Sequence, residues 1–195
     1  MKVFKFGGAS VKDARGIRNL AEITAGEKDK LVVVVSAFGK TTNALEQVLA
    51  TWMAGHEGYR DLLDSIYNYH ISVVSGLFPE TNPVKGRIDN SFALLREYLE
   101  SAKKEGYDFN YDQIVSYGEI WSTIIVAEHL RKLKLNSEWI DIRGNLITDD
   151  RYRDADILWS ESTARIKSVF NFSDRDIFVT QGFIGSTIAG MTTTL

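Results

Sequence analysis

Two glycines and a serine follow the first apolar stretch of the chain, and a lysine lies inside that stretch. In the segment KFGGAS these residues are Lys5, Gly7, Gly8 and Ser10. Glycines at the end of a strand let the backbone approach another group closely, because they carry no side chain. Free N–H groups at a helix start and a lysine both attract an anion. The segment therefore predicts a phosphate site; an edge-strand lysine in water before a plain turn is the alternative.

A second candidate for phosphate binding lies in residues 36–42, which read SAFGKTT. Its Gly-Lys-Thr triplet matches the end of a Walker A loop, G-x-x-x-x-G-K-[ST]. The first glycine of such a loop would fall at Val34, inside an apolar run that reads as a strand. We therefore interpret the triplet as a polar loop in which Thr41 or Thr42 caps the next helix.

Glu119 is the third candidate, and it directly follows the segment IVSYG at residues 114–118. A strand or short helix turns into a long helix at this point, and a carboxylate here can cap the long helix. It can also pair with the ammonium group of a substrate inside a pocket, which would fix the orientation of that substrate. The residue types alone leave both interpretations open.

Other reactive side chains form no catalytic or metal-binding pattern. The three histidines, His56, His70 and His129, have no ligand spacing, so we predict no metal site. The chain has no cysteine, which excludes a disulfide framework and a thiolate metal site. No Ser/His/Asp triad or carboxylate pair follows from the spacing.

Composition and charge exclude several classes of protein. The 195 residues are enough for one domain or slightly more, and the net charge of −3 with scattered basic residues gives no nucleic-acid footprint. No apolar run reaches the length of a membrane span. The start, MKVFKFGG, leads straight into a strand and contains no signal-peptide core. These features predict a cytoplasmic protein that binds neither nucleic acid nor a membrane.

The elements that position the candidate residues begin with a βαβ unit. Residues 3–6 read as a strand, Ser10 reads as the N-cap of a helix that ends at Gly26, and residues 31–35 read as a buried strand. Such a unit favours a parallel sheet with right-handed crossovers.

The rest of the chain continues the α/β pattern. Helices are predicted over residues 42–54, 57–77, 88–99 and 157–169, strands over 139–142 and 177–180, and a β-hairpin after GFIGS. The fold class is α/β, with a mostly parallel central sheet, helices on both faces in three layers, and a helical insertion at about 57–104. The chain ends directly after the hairpin, and we expect it to be part of a longer polypeptide.

Four segments taken together resemble the aspartate kinases of the amino acid kinase superfamily. They are KFGGAS, VVVVSAFGKTTN, VSYGE, and VTQGFIGS ending in TTTL, and their order and spacing match across essentially the whole chain. The resemblance implies transfer of the γ-phosphoryl group of ATP, carried with Mg²⁺, to the side-chain carboxylate of L-aspartate. This reaction is the first step toward lysine, threonine and methionine.

The resemblance also implies a role for each residue of the first segment. Lys5 matches the catalytic lysine that contacts the transferring phosphoryl group. Gly7 and Gly8 match the glycines whose N–H groups hold the phosphates, while Phe6 and Ser10 belong to the same ATP-binding stretch. The phosphate interpretation of KFGGAS is thereby favoured over the plain turn.

The aspartate pocket is implied by residues from the other three segments. Ser36 and Thr42 match the serine and threonine of that pocket, and Glu119 matches the glutamate that pairs with the amino group of aspartate. Phe183 matches the aromatic residue that lines the pocket. The Gly-Lys-Thr triplet thus serves the amino-acid substrate through Thr42.

The chain departs from the family pattern after TTTL. A Gly-Arg-Gly-Gly-Ser-Asp block, with an arginine for the substrate carboxylate, follows there in the family and is absent from this sequence. We therefore expect residues 1–195 to be the N-terminal portion of a catalytic domain, inactive by itself and belonging to a homo-oligomer. The alternatives are a non-catalytic module that binds an amino acid, or a kinase for another carboxylate such as glutamate or N-acetylglutamate.

Overall fold

A computed structural model describes residues 1–195, and it contains seven strands and seven α-helices. In chain order these are β1 (Lys2–Phe6), α1 (Ala14–Ala25), β2 (Leu31–Val35), α2 (Thr41–Met53), α3 (Tyr59–Leu77), α4 (Val84–Ser101), α5 (Tyr107–Val115), α6 (Tyr117–Lys132), β3 (Ser137–Ile140), β4 (Ile147–Thr148), α7 (Trp159–Val169), β5 (Ile177–Gln181), β6 (Ile184–Thr187) and β7 (Thr192–Thr194).

The main sheet is parallel and has four strands in the order β1-β2-β5-β3. Its central strand β2 reads LVVVV, and β-branched residues of this kind suit a strand that other elements cover on both faces. The α/β class with a parallel sheet and helices is therefore confirmed. None of the α-helices combines the length and the apolar character that a membrane span requires.

Alternate residues of the sheet face two different layers. Val33, Val35 and Val179 belong to the main hydrophobic core, together with residues of α1, α2 and α6. On the opposite face Phe178 contacts Phe170 and Phe172, which follow α7, with ring centroids 5.5 and 4.9 Å away. The connection from β3 to β5 runs back across the sheet, and crossovers between parallel strands are right-handed as a rule, so α7 is expected on this second face.

The helical insertion predicted at about 57–104 is confirmed as α3 and α4. These helices pack against α2 and α6 and share the main core with them. Trp121 of α6 stacks on Phe92 of α4 with ring centroids 3.7 Å apart, and its indole N–H donates to Ser91. The insertion therefore lies on the same side of the sheet as α2 and α6, and it forms no separate domain.

A small second sheet contains β4, β6 and β7, and the predicted hairpin is its antiparallel β6–β7 pair. Helix α5 anchors this hairpin through the side chain of Asp112. The carboxylate of Asp112 accepts hydrogen bonds from the backbone N–H and the hydroxyl of Thr194, at 2.9 and 2.6 Å, and from the N–H of Arg153 at 3.0 Å. Asp112 is fully buried, so this contact fixes the end of the chain to α5.

The prediction that a helix begins at Ser10 is wrong, because α1 begins at Ala14 with Asp13 as its N-cap. The carboxylate of Asp13 accepts from the N–H of Gly16 at 2.8 Å. Ser10 instead closes a turn, since its N–H donates to the carbonyl of Gly7 at 2.9 Å. Val11, which follows this turn, is fully buried.

Two further predicted elements can be compared with the structure. The strand predicted at 139–142 is β3 at Ser137–Ile140, and Ile142–Gly144 form a 3₁₀ turn. Before Glu119 the structure has the short helix α5, which was one of the two possibilities left open.

Candidate active site

Three segments that carry candidate residues meet at the carboxyl edge of the main sheet. Gly7 follows β1, Ser36 follows β2 and Gly182 follows β5. The strands are parallel and in register, with Phe6 opposite Val35 and Val35 opposite Gln181, so the three segments leave the sheet side by side. In open α/β sheets, ligands bind at this edge.

The turn after β1 presents free backbone donors. The N–H groups of Gly7, Gly8 and Ala9 donate to no group of the protein, whereas the N–H of Ser10 is held by the turn. Three consecutive free N–H groups at the end of a strand suit an anion that accepts hydrogen bonds. The start of α1 lies several residues away, so the turn and not a helix N-terminus supplies these donors.

The two glycines of this turn have different surroundings. A Cβ at Gly8 would lie 2.3 Å from the carbonyl oxygen of Ala37, so this position requires glycine for the close approach of the two loops. A Cβ at Gly7 would meet nothing within 4 Å, so the space above this residue is open. The N–H of Gly39 donates to the carbonyl of Gly8 at 3.0 Å and joins the loops.

Lys5 lies opposite Val34 in the sheet register, on the face away from the main core. Its ammonium group makes no hydrogen bond or ion pair with the protein, and the residue is exposed. Phe6, the next residue, turns the other way and packs against the core. The lysine is therefore available to a ligand that also reaches the turn at Gly7.

Glu119 is buried at the start of α6, with 3% of its surface exposed. One oxygen, Oε1, accepts a hydrogen bond from the N–H of Ala37 at 3.2 Å. The other, Oε2, has no partner in the protein. Burial raises the pKa of Glu119 to about 7, although the Ala37 N–H acts in the opposite direction. A buried carboxylate with a free oxygen calls for a cationic partner.

Small residues bring Glu119 to the loop after β2. A Cβ at Gly118 would lie 2.9 Å from the Cβ of Ala37 and 3.3 Å from the methyl of Thr41. The start of α6 therefore contacts the loop directly, and a larger side chain at Gly118 would separate them. This contact is what lets the Ala37 N–H reach Glu119.

The hydroxyls of Ser36 and Thr42 are half-buried and have no hydrogen-bond partner in the protein. The backbone of Ser36 is fixed, because its N–H donates to the carbonyl of Phe6 at 3.0 Å. Thr41 differs from Thr42, since its hydroxyl donates to the carbonyl of Phe38 at 2.7 Å. Thr42 is thus the threonine that remains free for a ligand.

Phe183 follows β5 and has a φ of +69°, a backbone conformation that non-glycine residues seldom adopt. Its carbonyl accepts from the N–H of Leu195 at 2.9 Å, which ties this strained position to the end of the hairpin. The ring is 38% exposed. Backbone strain held by surrounding contacts is characteristic of binding sites.

Two groups at this edge were not predicted from the sequence. The N–H of Ala37 holds Glu119, and the buried hydroxyl of Ser116 has no partner in the protein. Pairing across 82 positions, as between Ala37 and Glu119, leaves no signal in residue spacing. The only available signal was the small size of Ala37 and Gly118 beside polar residues.

Comparison with known proteins agrees with this architecture. The model of the amino acid kinase family matches residues 1–193. Lysine-sensitive aspartokinase 3 of Escherichia coli is 32% identical over 99% of this chain and 42% of its own length. The chloroplastic bifunctional aspartokinase/homoserine dehydrogenase 2 of Arabidopsis thaliana is 28% identical over 99% of this chain and 22% of its own length.

Solved structures give the same result. The crystal structure of E. coli aspartokinase III in complex with aspartate and ADP has a TM-score of 0.84 and 30% identity, and covers 99% of this chain and 43% of that chain. The aspartate kinase of Clostridium acetobutylicum, at 22% identity over 99% of this chain and 41% of its own, supports the fold with a TM-score of 0.78.

The chain belongs to the amino acid kinase family. Within that family it is similar in sequence and in fold to the aspartokinases described above. It spans less than half the length of the curated relatives described above, so its similarity covers one part of those proteins.

Proposed function

We propose that the polypeptide carrying this chain is an aspartate kinase, which transfers the γ-phosphoryl group of ATP to the side-chain carboxylate of L-aspartate. The observation that carries the proposal is Glu119, a buried carboxylate with one oxygen held by Ala37 and the other free. The similarity to E. coli aspartokinase III, whose crystal structure is a complex with aspartate and ADP, supports it.

Recognition of the amino acid follows from charge pairing. The free oxygen of Glu119 receives the ammonium group of aspartate, which compensates the cost of burying the carboxylate. The free hydroxyls of Ser36 and Thr42 provide further polar contacts, and Phe183 bounds the pocket. An ammonium partner favours the charged form of Glu119 and lowers the pKa that burial has raised.

Phosphoryl transfer depends on stabilising charge on the moving group. Lys5 supplies a full positive charge, and the N–H groups of Gly7, Gly8 and Ala9 supply partial ones. Positioning and charge neutralisation account for most of the catalysis of phosphoryl transfer, because the reaction needs little covalent help. Mg²⁺ enters with the ATP phosphates as part of the substrate.

We further propose that residues 1–195 form only part of the catalytic domain and do not turn over by themselves. The resemblance assigns the arginine for the substrate carboxylate to a Gly-Arg-Gly-Gly-Ser-Asp block that this sequence does not contain. Formation of aspartyl phosphate by the purified 195-residue chain would contradict this part of the proposal.

The test is a hydroxamate assay on the longest polypeptide that carries this chain, with ATP and either aspartate, glutamate or N-acetylglutamate. Hydroxylamine traps the acyl phosphate, and we expect product with aspartate. N-acetylglutamate has no ammonium group to pair with Glu119, so turnover with that compound instead of aspartate would contradict the assigned role.

Lys5→Ala tests the phosphate site in the same assay. We expect turnover to fall by about a hundredfold or more, the usual effect of losing a charge-stabilising group. Stability should not change, because Lys5 has no partner in the protein. Lys2→Ala, on the same strand but paired with Glu27, is the matched control and should keep its turnover.

A non-catalytic module that binds an amino acid is the alternative from another class. It shares the Glu119 pocket and predicts binding of aspartate with no ATP-dependent product from any natural form of the protein. We favour the kinase because the free N–H groups at Gly7, Gly8 and Ala9 have no use in a module of that kind.

We also propose that the protein is a homo-oligomer. The proposal follows from the resemblance to the aspartate kinases, since a single exposed apolar residue such as Val3 does not carry it. Sedimentation of the protein as a monomer at micromolar concentration would contradict this.

A further inference from the structure

A cavity of about 500 Å³ lies between α2, α3 and the loop before α1. Its volume falls in the range of small-molecule sites, about 300–1,000 Å³. The residues that give it its chemistry are Lys12, Lys40, Gln47, Leu62, Ile66 and Tyr69. None of them is among the residues that the proposed kinase function uses.

The geometry of α2 separates this cavity from the aspartate pocket. Lys40, Ala44 and Gln47 line the cavity and recur at i, i+4 and i+7, so they share one side of the helix. Thr42 lies about 160° around the helix axis from Ala44, at about 100° per residue. The opposite side also carries Glu46, whose carboxylate accepts from the hydroxyl of Tyr111 in α5.

The lining of the cavity carries a positive charge, and the carboxylate of Asp13, next to Lys12, offsets part of it. The ammonium groups of Lys12 and Lys40 make no hydrogen bond or ion pair with the protein, and no carboxylate lines the cavity. Asp13 follows Lys12 in the chain, but its carboxylate caps α1 through the N–H of Gly16 at 2.8 Å. Two unpaired ammonium groups beside an acid-free cavity attract an anion.

The wall formed by α3 presents two apolar side chains, Leu62 and Ile66, and Ala44 of α2 faces the same space. Tyr69 lies at the edge of this wall, and its hydroxyl donates to the carbonyl of Lys12. That bond fixes the loop of Lys12 against α3. A few polar groups beside an apolar wall are typical of a site that binds an amphipathic small molecule.

We propose that this cavity binds a small organic anion, with its carboxylate between Lys12 and Lys40 and its apolar body against Leu62 and Ile66. The bound anion would contact the loop after β1 at Lys12 and the loop after β2 at Gly39 and Lys40. Lys12 follows the glycine turn in the chain, while Gly39 and Lys40 directly precede the threonines of α2. The site is independent of the kinase proposal and can exist without it.

Phenylacetate is the probe, because it has one carboxylate and one apolar ring. Binding to the 195-residue chain is followed by NMR of the backbone amides and by calorimetry. We expect saturable binding, with the largest shifts at Gly39, Lys40 and Tyr69. Phenylacetamide, which lacks the charge, and acetate, which lacks the apolar body, should each bind at least tenfold more weakly.

Charge removal tests the two lysines. The double variant Lys12→Met and Lys40→Met should weaken phenylacetate binding at least tenfold and leave the fold intact, because both residues are exposed. Lys28→Met and Lys103→Met, exposed and outside the cavity, form the matched control and should bind as the wild type does.

Three results would overturn the proposal. They are no saturable binding of phenylacetate, equal binding by wild type and the Lys12/Lys40 variant, and shifts centred on Ala37 and Glu119. The last result would move the probe into the aspartate pocket. None of the three bears on the kinase assay, so the two proposals fail separately.

Discussion

Replacing Glu119 by glutamine should change how the stability of the protein depends on pH. Burial raises the pKa of Glu119 from 4.5 to about 7 in the folded protein. Between these two pH values the folded protein holds a proton that the unfolded chain has lost. Stability from this group is therefore greatest below pH 4.5, falls as the pH rises, and reaches its lowest value above pH 7.

The size of the effect follows from the two pKa values. The shift from 4.5 to about 7 corresponds to about 3 kcal/mol, at about 1.36 kcal/mol per unit. Because Glu119 is 3% exposed, solvent screening reduces this little. A glutamine does not ionise, so Glu119→Gln should gain about 3 kcal/mol relative to the wild type between pH 4.5 and 8.

Urea unfolding of both proteins at intervals between pH 4.5 and 8 measures this difference. His70 and His129 act in the opposite direction, because burial lowers the pKa of each to about 4. The stability that each histidine contributes to the folded protein is therefore lost as the pH falls below 6.5. These contributions occur in both proteins and cancel in the difference.

A constant difference between wild type and Glu119→Gln across this pH range would refute the reasoning. It would mean that Glu119 ionises in the folded protein as it does in water. Glu22→Gln, on the exposed side of α1, is the control variant and is unfolded over the same pH range.

Two further substitutions test the loops of the site, each with a matched partner. Gly8→Ala should lower the free energy of unfolding by about 1–3 kcal/mol, because its Cβ would clash with Ala37, whereas Gly7→Ala should change it by less than about 0.5 kcal/mol. Equal values in urea unfolding would contradict the close approach. Asp112→Ala should cost at least about 2 kcal/mol, since it strands buried donors of the hairpin. Asp108→Ala removes only an exposed ion pair and should cost less than about 1 kcal/mol; a similar loss for both would contradict the anchor.

Much of the fold could be predicted from local patterns. The β-branched run at Leu31–Val35 indicated a central strand, and the apolar periodicity at 57–104 indicated helices, because burial dictates both patterns directly. The hairpin was expected after GFIGS, whereas its first strand β6 begins within that segment at Ile184. In each case neighbouring residues carry the whole signal.

The start of α1 could not be predicted in this way. Ser10 and Asp13 both suit an N-cap, and the sequence pattern favoured the first. The backbone in the folded chain distinguishes them: a Cβ at Gly16 would lie 2.3 Å from the carbonyl oxygen of Ser10, so the turn packs against the first turn of the helix. Contacts of this kind depend on the folded backbone.

The site was predictable as a set of residue types and not as an arrangement. The turn at Gly7 and the acid at Glu119 were recognisable, because glycines after a strand and a glutamate before a long helix are local features. The bond from Ala37 to Glu119 joins distant segments, and so does the cavity between Lys12 and Lys40. Neither follows from spacing along the chain.

Calorimetric titration of the protein with aspartate and with N-acetylaspartate tests the central role of Glu119 most directly. Acetylation removes the ammonium group and leaves both carboxylates. We predict that aspartate binds the wild type at least tenfold more tightly than N-acetylaspartate does, and that Glu119→Gln removes this preference. Aspartate should also bind about tenfold more weakly at pH 6 than at pH 8, because Glu119 must lose a proton first. Equal affinity for the two compounds, or an unchanged preference in Glu119→Gln, would contradict the account.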